Sequence, residues 1–252
     1  CCGTASVFSL FLPRPTGLRS AWRRHTIMPP PRIAAGPALD TMFGMDGAVA
    51  RSHAGEDAGG NERIEWSAGA WTTPPAAPTV DSAALRVIAK EGSDAWRQTA
   101  YGFVHDTEHA LLTAFDVGDA MEVSFAADFS SQFDQAGIFV RESAERWIKA
   151  GVEWADGVLG VGAVVTDGLS DWSVGAVPEW SGRQVRVRVS RLRDALVVRA
   201  GIEGEALRLV RVAPFPADAR ASAGPFVCAP TRPGLEVVFG EWVRTSADAS
   251  LH

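Results

Sequence analysis

The sequence predicts an all-β protein: an antiparallel β-sandwich of jelly-roll type behind a disordered N-terminal tail. Three observations carry that expectation. After residue 80, apolar and polar side chains alternate with a period of two in one stretch after another, as they do on strands with one wet face. The gaps carry turn chemistry, as in Asp156-Gly157, Asp167-Gly168, Ser181-Gly182, Glu203-Gly204 and Pro233-Gly234. Helical spacing is nearly absent, so short strands at regular intervals must bury one another's faces in a sandwich or barrel.

Taken in order, the strands begin at Leu85–Ile88 and continue at Met121–Phe125 and Gly137–Arg141. Trp147–Trp154 and Leu159–Thr166 follow, then Val185–Val189, where Val and Arg alternate without a break. Leu196–Ala200, Leu207–Val212, Phe226–Ala229 and Leu235–Val243 complete the set. About ten to twelve strands suit one sandwich over residues 61–245, with 246–252 as a C-terminal tail. No run of roughly 18 apolar residues is present, so no membrane partner is expected.

The formal charge of −6 divides unevenly. Residues 1–60 hold six basic and four acidic residues, and 61–252 hold 18 and 26. Acidic character therefore belongs to the folding part, and no nucleic-acid partner is expected, because phosphate contacts need a basic face. Pro13, Pro15 and Pro29-Pro30-Pro31 argue against packed elements near the start. Arg-rich and acid-free over 1–39, the tail reads equally as an organelle transit peptide or as sequence upstream of a true start at Met28, Met42 or Met45. Cys228 is the one cysteine after residue 60, which fits a reducing, cytoplasmic setting, with organelle import open if the tail is real. On an apolar strand Cys228 reads as a small core hydrophobe.

Four blocks then stand in order. They are Trp96-Arg97-Gln98-Thr99-Ala100-Tyr101-Gly102-Phe103, Asp134-Gln135-Ala136-Gly137-Ile138-Phe139-Val140-Arg141, Trp147-Ile148-Lys149-Ala150-Gly151-Val152-Glu153 and Ser170-Asp171-Trp172-Ser173. Together they resemble the domain of unknown function 1349 family, also called regulation-of-enolase-like. The resemblance covers about 61–245 and implies a concanavalin A-like jelly roll, the fold shared by lectins and glucanases. It implies no reaction. The enolase reference raises a protein partner among metabolic enzymes as one expectation.

Strand faces supply the site candidates. Along Trp147–Glu153, Ile148, Ala150 and Val152 share one side, and Trp147, Lys149, Gly151 and Glu153 the other. In the preceding strand, Gln135, Gly137, Phe139 and Arg141 oppose Ala136, Ile138 and Val140. If the two strands pair as a hairpin, the polar sets merge into one surface. Aromatic plates among charged and amide groups suit sugar rings, and that mixture marks small-molecule sites. Lys149 is one of two lysines in a chain rich in arginine, so a compact ammonium is wanted there, either for a ligand or for an ion pair with Glu153. Tyr101 is the only tyrosine and reads equally as an amphipathic core residue. Trp147 and Trp172 are the preferred stacking pair. Asp171 is a ligand carboxylate or a turn former.

His105-Asp106-Thr107-Glu108-His109 spells H-x-x-E-H, but that zinc motif works only on a helix. Here strand-like residues flank a hairpin-turn pair, which leaves His105 as a pocket-rim residue. No phosphate loop, dinucleotide fingerprint or calcium loop of standard spacing appears, so no cofactor and no metal are expected. The leading expectation is a non-catalytic module binding a carbohydrate or sugar-like metabolite through Trp96, Tyr101, His105, Asp134, Gln135, Trp147, Lys149, Glu153, Asp171 and Trp172. The alternatives are a glycoside hydrolase or lyase using Glu153 with Asp134 or Asp171, and a regulatory protein acting on a metabolic enzyme.

Overall fold

A computed structural model describes residues 61–81 and 83–251. The tail expected over 1–60 lies outside the described residues. Seventeen strands follow one another among the described residues. They are β1 (Glu62–Arg63), β2 (Ala70–Trp71), β3 (Thr79–Asp81), β4 (Ala84–Ile88), β5 (Ala95–Arg97), β6 (Val104–Asp106), β7 (His109–Phe115), β8 (Asp119–Ala127) and β9 (Gln135–Arg141). Then come β10 (Arg146–Ala155), β11 (Val158–Asp167), β12 (Leu169–Ala176), β13 (Val185–Arg191), β14 (Ala195–Ile202), β15 (Arg208–Pro214), β16 (Ala221–Cys228) and β17 (Glu236–Ser246). Two 3-10 turns, Trp66–Ala68 and Pro178–Trp180, each bury their tryptophan. Among the described residues no helix is long and apolar enough to cross a membrane.

Two large antiparallel sheets form the sandwich. One has the order β15-β14-β13-β8-β17-β4-β3, with β1 also on β17, and the other β12-β11-β10-β9-β16-β7-β2. The alternation read from the sequence is what joins them. Val185, Val187 and Val189 of β13 and Ile148, Ala150 and Val152 of β10 enter one core with Phe125, Phe239 and Trp242. Burying such side chains stabilises the fold by about 1.5–3 kcal/mol each.

The outer face of the second sheet is covered in part. β5 and β6 pair only with each other, and this hairpin brings Ala95 and Trp96 onto Ala110, Leu112, Phe139, Trp147, Val164, Phe226 and Cys228 as a second apolar cluster. The expected turn between His105 and His109 is therefore a corner rather than a hairpin. β6 belongs with β5, while β7 pairs with β16 and β2. No helix carries the two histidines on one face. The segment expected as a C-terminal tail is held to the sandwich, since Asp248 accepts from Arg188 Nε at 3.0 Å and Arg199 Nε at 2.9 Å.

Gly137 and Gly151 face each other across β9 and β10, and Gly162 continues the row on β11. A Cβ on Gly137 would lie 2.0 Å from the Ala150 carbonyl oxygen, and one on Gly151 would lie 2.1 Å from that of Ala136. Close approach of the two backbones is why no side chain fits there.

Candidate functional site

β9 and β10 pair as expected, with Lys149 opposite Phe139 and Glu153 opposite Gln135. That register places the polar set on the outer face of the second sheet. Lys149 is 4% exposed, yet its partner is not Glu153. Nζ donates to Asp94 Oδ1 at 2.7 Å. The same oxygen accepts from Ala95 N at 2.8 Å and Gln135 Nε2 at 3.3 Å. Gln135 Nε2 also donates to the Phe133 carbonyl at 3.1 Å. Asp94 is fixed by the turn leading into β5, where its amide donates to Thr107 Oγ1 at 3.1 Å and Ser93 Oγ donates to the Lys90 carbonyl at 2.6 Å. One turn acid thus organises a lysine from β10 and an amide from β9.

Above this floor lies a cavity of about 290 Å³, at the small end of the usual range for ligand sites. It is lined by seven of the ten residues singled out from the sequence: Trp96, Tyr101, His105, Gln135, Lys149, Glu153 and Trp172. The β5–β6 hairpin forms one wall as an aromatic ladder. Trp96 meets Tyr101 edge-on with ring centroids 5.5 Å apart, Tyr101 stacks on Phe103 at 5.4 Å, and Phe103 meets His105 edge-on at 4.7 Å. Trp96 Nε1 donates to the Thr99 carbonyl at 3.0 Å, which fixes the indole plane. Gln98 and Ala100 at the hairpin tip adopt φ of 58° and 62°, a left-handed conformation costly for such residues. Trp172 of β12 and Val164 of β11 line the same cavity.

Charge within the cavity is unevenly compensated. Burial is the largest single influence on Lys149 and would depress it, but Asp94 together with the neighbouring acidic groups, Glu153 among them, holds the ammonium above its ordinary value. Glu153 is half-buried, and its Oε1 is buried without a hydrogen-bond partner. Loss of hydration pushes Glu153 up to about 7, although Lys149 pulls the other way. Burial likewise pushes the neighbouring Cys228 thiol well above its usual range, in keeping with a core residue and not a nucleophile.

Three candidates lie elsewhere. Trp147 is 1% exposed and stacks on Phe139 at 5.3 Å inside the second cluster, so it cannot face a ligand. Asp134 is fully buried, and its Oδ2 accepts from Ser130 N, Ser131 N and Arg232. Asp171 is not in a loop but on edge strand β12, pairing with Arg211 at 2.8 Å. Neither acid reaches the cavity lining to serve as partner to Glu153. Adjacent residues of a strand face opposite ways, so Asp171 and Trp172 could not both have done so.

Sequence reasoning missed Asp94, Phe103, Phe133, Val164, Pro230 and Thr231. Gly92-Ser93-Asp94 reads as ordinary turn chemistry, and the one signal for Asp94 was that a mid-strand lysine needs an acid. A larger cavity of about 560 Å³ opens beside Arg146, Ile148, Arg193 and Phe215. Its Arg146 is already shared between Glu142 and Asp167, so it offers a weaker case for a polar ligand.

The profile of the family described as "Protein of unknown function (DUF1349)" matches residues 71–247. The chain belongs to the DUF1349 family. A relative from Saccharomyces cerevisiae named Regulation of enolase protein 1 is 34% identical to this DUF1349 chain over 186 residues, covering 74% of this chain and 93% of the relative. A crystal structure described as that of a functionally unknown protein from Saccharomyces cerevisiae is 33% identical with a TM-score of 0.70, covering 74% of this chain and 100% of that one. A xylan β-1,4-xylosidase from Bacillus halodurans C-125 is 13% identical with a TM-score of 0.53, over 68% of the DUF1349 chain and 38% of the xylosidase. That likeness concerns the β-sandwich fold alone.

Proposed function

We propose that this DUF1349 protein is a binding module for a sugar or sugar-like metabolite, held in the cavity between the β5–β6 hairpin and Trp172. The observation that carries the reading is the convergence of an aromatic ladder with Lys149, Gln135 and Glu153 on one cavity of about 290 Å³. Aromatic plates take the apolar face of a ring, and the polar floor orients its hydroxyls. Glycoside hydrolysis has less support, because it needs two free carboxyl groups across the ligand and Asp94 is bound to Lys149. Calorimetry with a panel of mono- and disaccharides tests the reading. At least one binds the wild type, and Trp172→Ala weakens that binding about tenfold. Absence of binding by every sugar overturns it.

A second reading, contact with a metabolic enzyme, is supported by the name of the yeast relative. Co-sedimentation of the purified protein with purified enolase tests it, and separate migration at micromolar concentrations counts against it.

A further inference from the structure

The following inference rests on the binding role just given and narrows the ligand. Asp94 and Glu153 are the acids facing the cavity, and Lys149 is its ammonium. The Lys149–Asp94 pair is closed, with Nζ on Oδ1 at 2.7 Å and two further donors on the same oxygen. Glu153 is left over. Across the ladder on β9, Gln135 directs its amide nitrogen to Asp94 and Phe133. On β11 the facing residue is Gly160, which has no side chain. Neither neighbouring strand gives Oε1 a side-chain donor, and Oε1 is buried without a partner.

The missing group is therefore a donor, preferably a cationic one. The walls favour the same chemistry, since the faces of Trp and Tyr attract a cation within about 6 Å of the ring centroid. We propose that the cavity selects a sugar carrying a basic nitrogen, an amino sugar in its ammonium form, with that ammonium against Glu153. A neutral hexose has no charge to offer the carboxylate. An acidic or phosphorylated sugar brings an anion to a site whose lysine is already engaged.

Proton release accompanies such binding. The groups facing Glu153 are Lys149 on its own strand, Asp94 before β5, His105 on β6 and the Cys228 thiol on β16. With Glu153 half-protonated near pH 7, an arriving ammonium favours the carboxylate and expels the proton.

Titration calorimetry of glucosamine, galactosamine and mannosamine, each against its parent hexose and with glucuronate as the anionic control, tests the inference at pH 5 and pH 7 in two buffers of different ionisation heat. At least one amino sugar is expected to bind tenfold or more tighter than its parent at pH 7, to weaken about tenfold at pH 5 and to release protons. Glu153→Gln is expected to remove the preference. A hexose or glucuronate binding as tightly as the amino sugar overturns the inference and leaves the binding role standing. No binding by any of them overturns both. If Glu153→Gln fails to fold, the preference and the proton release of the wild type still decide the question.

Discussion

The outer face of the second sheet has two halves, built by the same strands and treated differently. Around Trp147 the β5–β6 hairpin closes over Phe139, Phe226 and Ala110, and the face becomes a second core. The buried acid near this half, Glu108, has its own cation, with Arg141 at 3.2 Å. Around Glu153 the same hairpin stands off as a wall, and the acid has no hydrogen bond at Oε1. Burial pushes both carboxyl groups up, but only the first meets a dedicated donor. The fold completes its packing and pairing in one half and leaves both open six residues further along β10.

Perturbing the closed half is expected to cost most. Trp147→Ala removes a fully buried indole and is expected to destabilise the protein by about 3–5 kcal/mol in urea denaturation. A loss below about 1 kcal/mol would mean the half is not closed. Arg141→Ala leaves Glu108 buried without its cation, an expected loss of about 3 kcal/mol at pH 7, and Glu108→Gln in the same background restores much of it.

The open half responds with the opposite sign. The folded Glu153 carboxyl holds a proton up to about pH 7 that the unfolded chain releases near 4.5. The folded state thus binds more protons across that window, and stability falls as pH rises through it. Glu153→Gln removes this dependence. Relative to wild type it is expected to be about 2 kcal/mol more stable at pH 8, allowing for partial solvent screening, and nearly equal at pH 4. Equal stability at both pH values would show Glu153 to be satisfied. Trp172→Ala, at a site 37% exposed, is expected to shift stability by less than about 0.5 kcal/mol.

Alternation made most of the large strands legible, though not β7 and β12, and put Lys149, Glu153 and Gln135 on one surface, because period-two patterning survives wherever one face is buried. It could not separate Trp147 from Lys149. They share a face, and what divides them is the docking of a hairpin that begins fifty residues earlier, at Ala95. β1, β2, β3, β5 and β6 have two or three residues each, too few to show a period. The Asp94–Lys149 pair spans 55 residues and leaves no local trace. Asp134 looked available because it heads the block Asp134–Arg141 as an acid with no local partner, while Arg232, which it binds, lies 98 residues away.

Amide chemical-shift mapping during titration with an amino sugar tests the difference between the halves most directly. Perturbations are expected to cluster at Asp94, Tyr101, Gln135, Glu153 and Trp172, with Trp147, Phe226 and the Arg146–Phe215 cavity silent. Perturbations centred on that second cavity, or spread without a centre, would contradict that expectation.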